Sequence, residues 1–269
     1  MIHPQAIVSP RAELDPSVDV GPFAIIERDV VIGAGTRIGP YSYVCSGTTL
    51  GRDNVVHMGV VLGHEPQDLA YTGAPTRLVV GDRNTFREGS HVHRGTLADS
   101  ATVIGNDCYV MANGHVAHNC QLADRVIVAS GALLAGHVQV GAMAFVSGNA
   151  VVHQYTRIGR LAMLQGGSGV GRDVPPFTIA SGINTLAGVN VVGLRRAGFD
   201  AEEIRAVRRA FRVLFWRRPN LRLARERLLA SEGEHLIDEV RELLSFLDGS
   251  RRGVCAGPRG GRAATDAEA

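Results

Sequence analysis

The chain has 269 residues, 45% of them hydrophobic but only 5% aromatic, with 33 glycines and a formal net charge of +2. So small a charge excludes a chain built around nucleic acid, and no stretch reaches the roughly 18–20 consecutive apolar residues of a membrane span. An apolar fraction of Val, Ile, Leu and Ala beside so much glycine favours tight, repetitive β-structure over an aromatic-centred globular core.

The opening segment "MIHPQAIVSP" has no basic stretch followed by an apolar block, so no secretory leader is expected. Cys45, Cys108, Cys120 and Cys255 show no framework spacing and are expected as free thiols in a reducing cytoplasm. From Ala6 the chain divides into hexads: AIVSPR, AELDPS, VDVGPF, AIIERD, VVIGAG, TRIGPY, SYVCSG, TTLGRD, NVVHMG, VVLGHE. The third residue of each, from Val8 and Leu14 to Val56 and Leu62, is aliphatic, and glycine often follows it. The register resumes at Val80, Phe86 and Val92, then holds from Ile104 to Val170. A period of six is neither the alternation of an ordinary strand nor the 3.6 of a helix. It describes short strands joined by tight corners, each strand sending one branched side chain inward. Three hexads close a triangular coil of eighteen residues, and coils stack at about 4.8 Å, the interstrand spacing. The expected fold is mainly β, a parallel β-helix over residues 1–190.

Two segments break the register. "HEPQDLAYTGAPTR" (64–77) puts Asp68 where an aliphatic residue is due. Leu62 and Val80 lie eighteen apart, so one coil's worth of chain is expected to leave as an extruded loop, a common carrier of function. The break at "TLADSA" (96–101) is softer, with Ala98 expected to keep the inward place. After "DVPPFTIASG" the hexads stop. "GFDAEEIRAVRRAFRVLFWRR" reads as a helix with Asp200 as N-cap, Glu203 completing a capping box, and Pro219 as the stop. Its apolar face is Ile204, Val207, Phe211 and Leu214. "LRLARERLLASEG" and "EHLIDEVRELLSFLDG" continue the helical pattern. Together they predict a small α-helical C-terminal domain over 191–250, with 251–269 as a disordered tail.

In such a coil, residues eighteen apart stand above one another. His118, Gly136 and Gln154 form one column, flanked by Asn119, His137 and Tyr155 on one side and Ala117, Ala135 and His153 on the other. The Cα atoms of His118 and His137 are then expected on the order of 6 Å apart, around the hole left by Gly136. His115 and His118 straddle the inward Val116, so both imidazoles decorate the outside of the core. His93 lies about one and a half coils earlier, and this geometry alone does not fix which way it faces. A lone outward histidine is commonly a surface residue, but several with a glutamine within three coils mark a candidate site. Histidine titrates near neutrality and is the usual general base. At His118, oriented by a neighbouring imidazole, it could take a proton from an alcohol attacking an acyl carbon. Other readings stay open on the residues alone. Cys120 could be a nucleophile. His115, His118 and His137 could hold zinc as in β-helix carbonic anhydrases, although the usual pair there has four intervening residues and this one has two. A non-catalytic hexapeptide scaffold would not need clustered imidazoles.

The segments "PQDLAYTGAPTR", "GDRNTFREGSHVHRGT", "GHVAHNC", "LAGHVQVG", "VVHQYTRIG", "SGVGRDVPPF" and "GVNVVGLRRAGF" come in this order, followed by helices. In this they resemble the UDP-N-acetylglucosamine acyltransferase family of lipid A biosynthesis, over the chain to about residue 250. The resemblance implies a homotrimer of left-handed parallel β-helices with active sites between subunits, and no cofactor or metal. It implies transfer of a 3-hydroxyacyl chain from acyl carrier protein to the 3-hydroxyl of UDP-N-acetylglucosamine. On the matching positions His118 resembles the general base, with His137 beside it in the catalytic set. His93, His115, His153 and Gln154 resemble groups that position the acceptor, and Asp68 a sugar contact. Asn190 and Arg196 match positions near the nucleotide or phosphopantetheine end. Gly166 sits where the family controls acyl length, and a glycine there leaves the groove open for a longer chain. Three positions depart from the family pattern: Ala70 for a lysine in the loop, Val192 for a glutamate after Asn190, and Ala197 for an arginine. Arg205, Arg208, Arg209 and Arg212 fall on one helical stripe, with Arg195, Arg196, Arg217 and Arg218 near. That stripe suits an acidic carrier protein, and equally a solvated helix face.

Overall fold

The structure, a computed structural model, describes residues 1–216, 220–233 and 236–258. Between Ile7 and Val170, short strands stack in parallel into three sheets, the sides of a triangular prism. Among the described residues these sheets have nine, eight and ten strands. The hexad positions are the core: every inward residue from Val20 to Val170 is at most 3% exposed. Val8 and Leu14, at the open N-terminal end, are half-buried.

The register corrects both loop expectations. Tyr43 pairs with Val61, eighteen residues on, but Val61 pairs with His91, thirty on, and His91 with His115, twenty-four on. The first loop therefore adds twelve residues to its coil, and the second adds six. Of the eighteen residues from Leu62 to Val80, six are the ordinary step to the next strand and only the remaining twelve are extruded. Ala98 does not hold the inward place: Leu97, Ala98 and Asp99 are all exposed on the second loop. Both loops leave from one corner, where the nine-stranded sheet passes into the eight-stranded one.

From Val20 to Leu164, each corner that does not open into a loop places the third residue after the inward one in the left-handed backbone region. At the corner of the loops this holds for Asn119 (φ 59°), His137 (φ 61°) and Tyr155 (φ 63°). Asparagine tolerates that region, whereas for other non-glycine residues it costs about 1–2 kcal/mol.

Thr178–Ser181 and Thr185–Val189 form an antiparallel hairpin that ends the ten-stranded sheet. Among the described residues four helices follow: α1 (Val191–Arg196), α2 (Ala201–Phe215), α3 (Leu221–Glu232) and α4 (Asp238–Asp248). The capping box of α2 is formed, with Asp200 accepting from the Glu202 and Glu203 amides and Glu203 accepting from the Asp200 amide. Its Ile204 and Val207 pack with Leu161, Phe177 and Leu194 at the corner between the eight- and ten-stranded sheets. Arg217, Arg218 and Pro219 lie outside the described residues.

Residues 251–258, expected within a disordered tail, are docked. Val254 bridges to Asp173, Ala256 bridges to Thr185, and Cys255 is fully buried. Backbone groups left unpaired by the last coil are satisfied this way. The rest of the expected tail, 259–269, lies outside the described residues. Among the described residues no helix is long and apolar enough to cross a membrane.

Candidate active site

His118 is the best-defined member of the corner. It sits two residues after the inward Val116 and is only 8% exposed, because its imidazole lies flat over Gly136 and beneath the 64–77 loop. A Cβ on Gly136 would come within 2.5 Å of His118 Cε1 and Nε2, so the glycine makes room for the ring. His118 Nδ1 is 3.0 Å from Asn119 Oδ1. That oxygen also accepts from the Thr96 amide at 3.0 Å, which fixes it as the amide oxygen. Neutral His118 must therefore carry its proton on Nδ1 and present a lone pair at Nε2. On that side stands Asp68, its Oδ2 3.6 Å from Nε2. The other carboxylate oxygen accepts from the Ala70 amide at 2.9 Å, in a turn that presents Asp68 inward.

His137 meets His118 edge-on, with ring centroids 5.2 Å apart, and its other face stacks on Tyr155 at 4.5 Å. Burial, together with the neighbouring His118, pushes the His137 imidazole below its ordinary value, while Asp68 opposes the shift. His118 Nε2 thus faces a carboxylate and a neighbour that resists taking a proton. Such a set can deprotonate an alcohol and stabilise the resulting imidazolium.

A second group of imidazoles continues along the outer face of the nine-stranded sheet. His93 and His115 lie 5.1 Å apart, with His64 6.3 Å beyond His93. With Tyr43, Val61, Gln67 and His91 they line a cavity of about 410 Å³. His93 is buried and its Nδ1 lies 2.6 Å from the Glu65 carbonyl, which can only accept, so Nδ1 carries the proton. Burial lowers the pKa of His93 and pushes that of His115 down to about 4, with neighbouring imidazoles adding to both shifts. These rings are neutral hydrogen-bonding groups at neutral pH. The face His93 presents, open on the sequence alone, is thus toward His115.

The remaining candidates lie elsewhere. His153 and Gln154 are exposed one coil above Gly136, and His153 Nδ1 is 3.3 Å from Arg252. Asn190 caps α1: its oxygen accepts from the Gly193 amide at 3.0 Å and its nitrogen donates to the Leu161 carbonyl at 2.8 Å. That puts Asn190 at the corner between the eight- and ten-stranded sheets, a different edge of the prism from His118. Arg196 is exposed in the last turn of α1. Gly166 lies at the third corner, where a Cβ would meet only the Gly148 carbonyl, at an ordinary 3.4 Å. Cys120 is fully buried, donates to the Ala135 carbonyl and is pushed up to about 12 by burial, so it is no nucleophile. Among the described residues no three His, Cys, Asp or Glu side chains are arranged to hold a metal ion. Sequence reasoning missed Asn119 as the group orienting His118, and His64 and His91 as partners of His93 and His115. His91 pairs in register with His115, a relation hidden until the length of the second loop is known.

A β-helix of stacked hexads with a buried, oriented imidazole at an outer corner belongs with the hexapeptide-repeat transferases. The family described as bacterial transferase hexapeptide (six repeats) matches residues 29–64 and 101–136. That described as Udp N-acetylglucosamine O-acyltransferase, domain 2, matches 173–255. The acyl-[acyl-carrier-protein]--UDP-N-acetylglucosamine O-acyltransferase of Paraburkholderia xenovorans is 46% identical over 257 residues, 94% of this chain and 98% of that protein. That of Herminiimonas arsenicoxydans is 42% identical over 258 residues, with the same coverage. Among solved structures, the UDP-N-acetylglucosamine acyltransferase of Bacteroides fragilis superposes with a TM-score of 0.89 at 32% identity, covering 94% of this chain and 99% of that one. That of Francisella novicida gives 0.91 at 29% identity, covering both chains completely at 100%. The chain belongs to the UDP-N-acetylglucosamine O-acyltransferase family.

Proposed function

We propose that the chain transfers a 3-hydroxyacyl group from acyl carrier protein to the 3-hydroxyl of UDP-N-acetylglucosamine, the first step of lipid A biosynthesis. His118 Nε2 takes the proton of the sugar hydroxyl as its oxygen attacks the thioester carbonyl. The carbon–sulfur bond breaks, and the proton passes from the imidazolium to the departing carrier thiolate, so that no cofactor is consumed. The single observation that carries this reading is the tautomer forced on His118: Asn119 occupies Nδ1, and Nε2 is left as the acceptor beneath Asp68. His137 limits the room for that ring, and Asp68 stabilises the charge it acquires. His93, His115, His153 and Gln154 position the acceptor, and Gly166 leaves room for a longer acyl chain.

Asn190 and Arg196 stand on another edge of the prism, so their part in binding the nucleotide requires a second copy of the chain. This supports a homotrimer whose sites are shared between subunits. The test is conversion of UDP-N-acetylglucosamine to its acylated form by the purified protein with 3-hydroxyacyl carrier protein. His118→Ala is expected to lower kcat by about 10²–10⁴ with the fold intact by circular dichroism. Full activity in that variant would refute the base, and no product from the unaltered protein would refute the reaction. One departure favours a second acceptor: Ala70, exposed two residues from Asp68, offers no lysine. A parallel assay with an amino-sugar nucleotide decides between hydroxyl and amine acceptors.

A further inference from the structure

The 64–77 loop is shaped around Asp68 by its own turn bonds, but it buries little to hold it against the prism. Between Glu65 and Thr76 only Pro66 and Thr76 are buried, and Leu69, next to Asp68, is fully exposed. Asp68 nevertheless stands 3.6 Å from His118 Nε2. Its position has to be imposed from outside the loop.

One side chain bridges the loop on both sides of Asp68. Arg94 follows His93 at the start of the second loop, and its side chain is only 14% exposed. Its guanidinium donates to the Gly63 carbonyl at 3.3 Å and to Glu65 Oε1 at 3.3 Å, both before Asp68. It donates to the Tyr71 hydroxyl at 2.9 Å, after Asp68, and lies 5.8 Å from the centre of the Tyr71 ring. The Arg94 backbone amide also bonds to the His64 carbonyl at 3.1 Å. Tyr71 carries the restraint inward, since its amide donates to the Asp68 carbonyl at 3.0 Å and its hydroxyl to the Ala74 carbonyl at 3.1 Å. We infer that Arg94 is a positioning residue that holds Asp68 over the base by bracing both limbs of the loop. This rests on the reading of His118 as the general base. A planar guanidinium is the side chain suited to this work, because one rigid fork reaches three acceptors in different directions and still lies against a ring. Lysine keeps the charge but has a single ammonium and cannot span Gly63, Glu65 and Tyr71 together.

The experiment is a double-mutant cycle of Arg94→Lys with Asp68→Ala, read as kcat and KM, together with hydrogen exchange at the amides of Ala70 and Tyr71. Arg94→Lys is expected to lower kcat by about ten-fold or more, with KM for the acyl carrier protein little changed, because a displaced carboxylate costs geometry at the reacting centre. In the Asp68→Ala background the same substitution is expected to cost almost nothing further, since coupled residues are not additive. Exchange at Ala70 and Tyr71 is expected to quicken while the strands from Tyr109 to Val170 keep their protection. Additive losses, or unchanged exchange at the loop, would overturn the assignment. Activity of the unaltered protein and of His118→Ala tests the reaction separately, and the loop exchange can be read even if that reaction fails.

Discussion

Gly136 illustrates how much of this site depends on an absent atom. Its backbone is not in the left-handed region, so alanine would be tolerated there but for the His118 ring 2.5 Å from the added carbon. The ring must move, and its bond to Asn119 and its approach to Asp68 move with it. Gly136→Ala is expected to lower kcat by about 10–100-fold without loosening the β-helix, measured by steady-state kinetics beside thermal unfolding. An unchanged kcat would mean that the ring has freedom the geometry denies it. His137 shows the complementary economy. It occupies a left-handed corner position that glycine or asparagine would hold with less strain, and there it bears edge-on against His118.

At the scale of elements, the helical domain is stapled to the prism by Arg157 of the eight-stranded sheet and Arg160 in the turn that follows it. Arg157 donates to the Phe246 and Gly249 carbonyls at the C-terminal end of α4 and lies 4.1 Å above the Phe246 ring. It also pairs with the buried Asp173, whose carboxylate accepts from Ser250 as well. Arg160 makes a two-pronged pair with Glu242 one turn earlier on α4. A cation at the helix C-terminus meets carbonyls without helical partners and the negative end of the helix dipole. Arg157→Ala removes these bonds and strips a buried carboxylate of its cation, a cost of about 1–3 kcal/mol. The expected outcome is faster hydrogen exchange along α4, with the strands of the β-helix unaffected. Equal loosening of both would place the boundary between the two units elsewhere.

At the scale of the whole molecule, three edges of the prism carry three different things. His118, His137 and both loops share one edge, Asn190 and the first helices hold the second, and Gly166 lies on the third. A stack in which each coil touches only its neighbours cannot bring these edges together, whereas copies set side by side around a three-fold axis can. Coexpression of His118→Ala with Arg196→Ala is the direct check. If each site draws on two subunits, random mixing restores about a quarter of the sites, although each variant alone is impaired. No recovery in mixed assemblies would confine the site to one chain.

The hexads by themselves determined the core, because an inward position depends only on the local alternation of strand and corner. Val20 through Val170 could be named before any coordinate. The meeting of His118 with His137 followed from the same count, since eighteen-residue stacking is a local rule repeated. The capping box at Asp200 was legible for the same reason. The hand of the coil was not in this pattern and came with the family resemblance. Tertiary structure alone decided whatever depends on where the chain returns after leaving the repeat. It made the first loop twelve residues rather than eighteen, paired His91 with His115, and laid Val254 against the last coil and Ala256 against the hairpin. It also gave the Asn190 side-chain amide to the Leu161 carbonyl, and brought the Thr96 amide to the Asn119 oxygen that orients His118. Each of these depends on contacts between residues distant in sequence, whose partners no local period specifies.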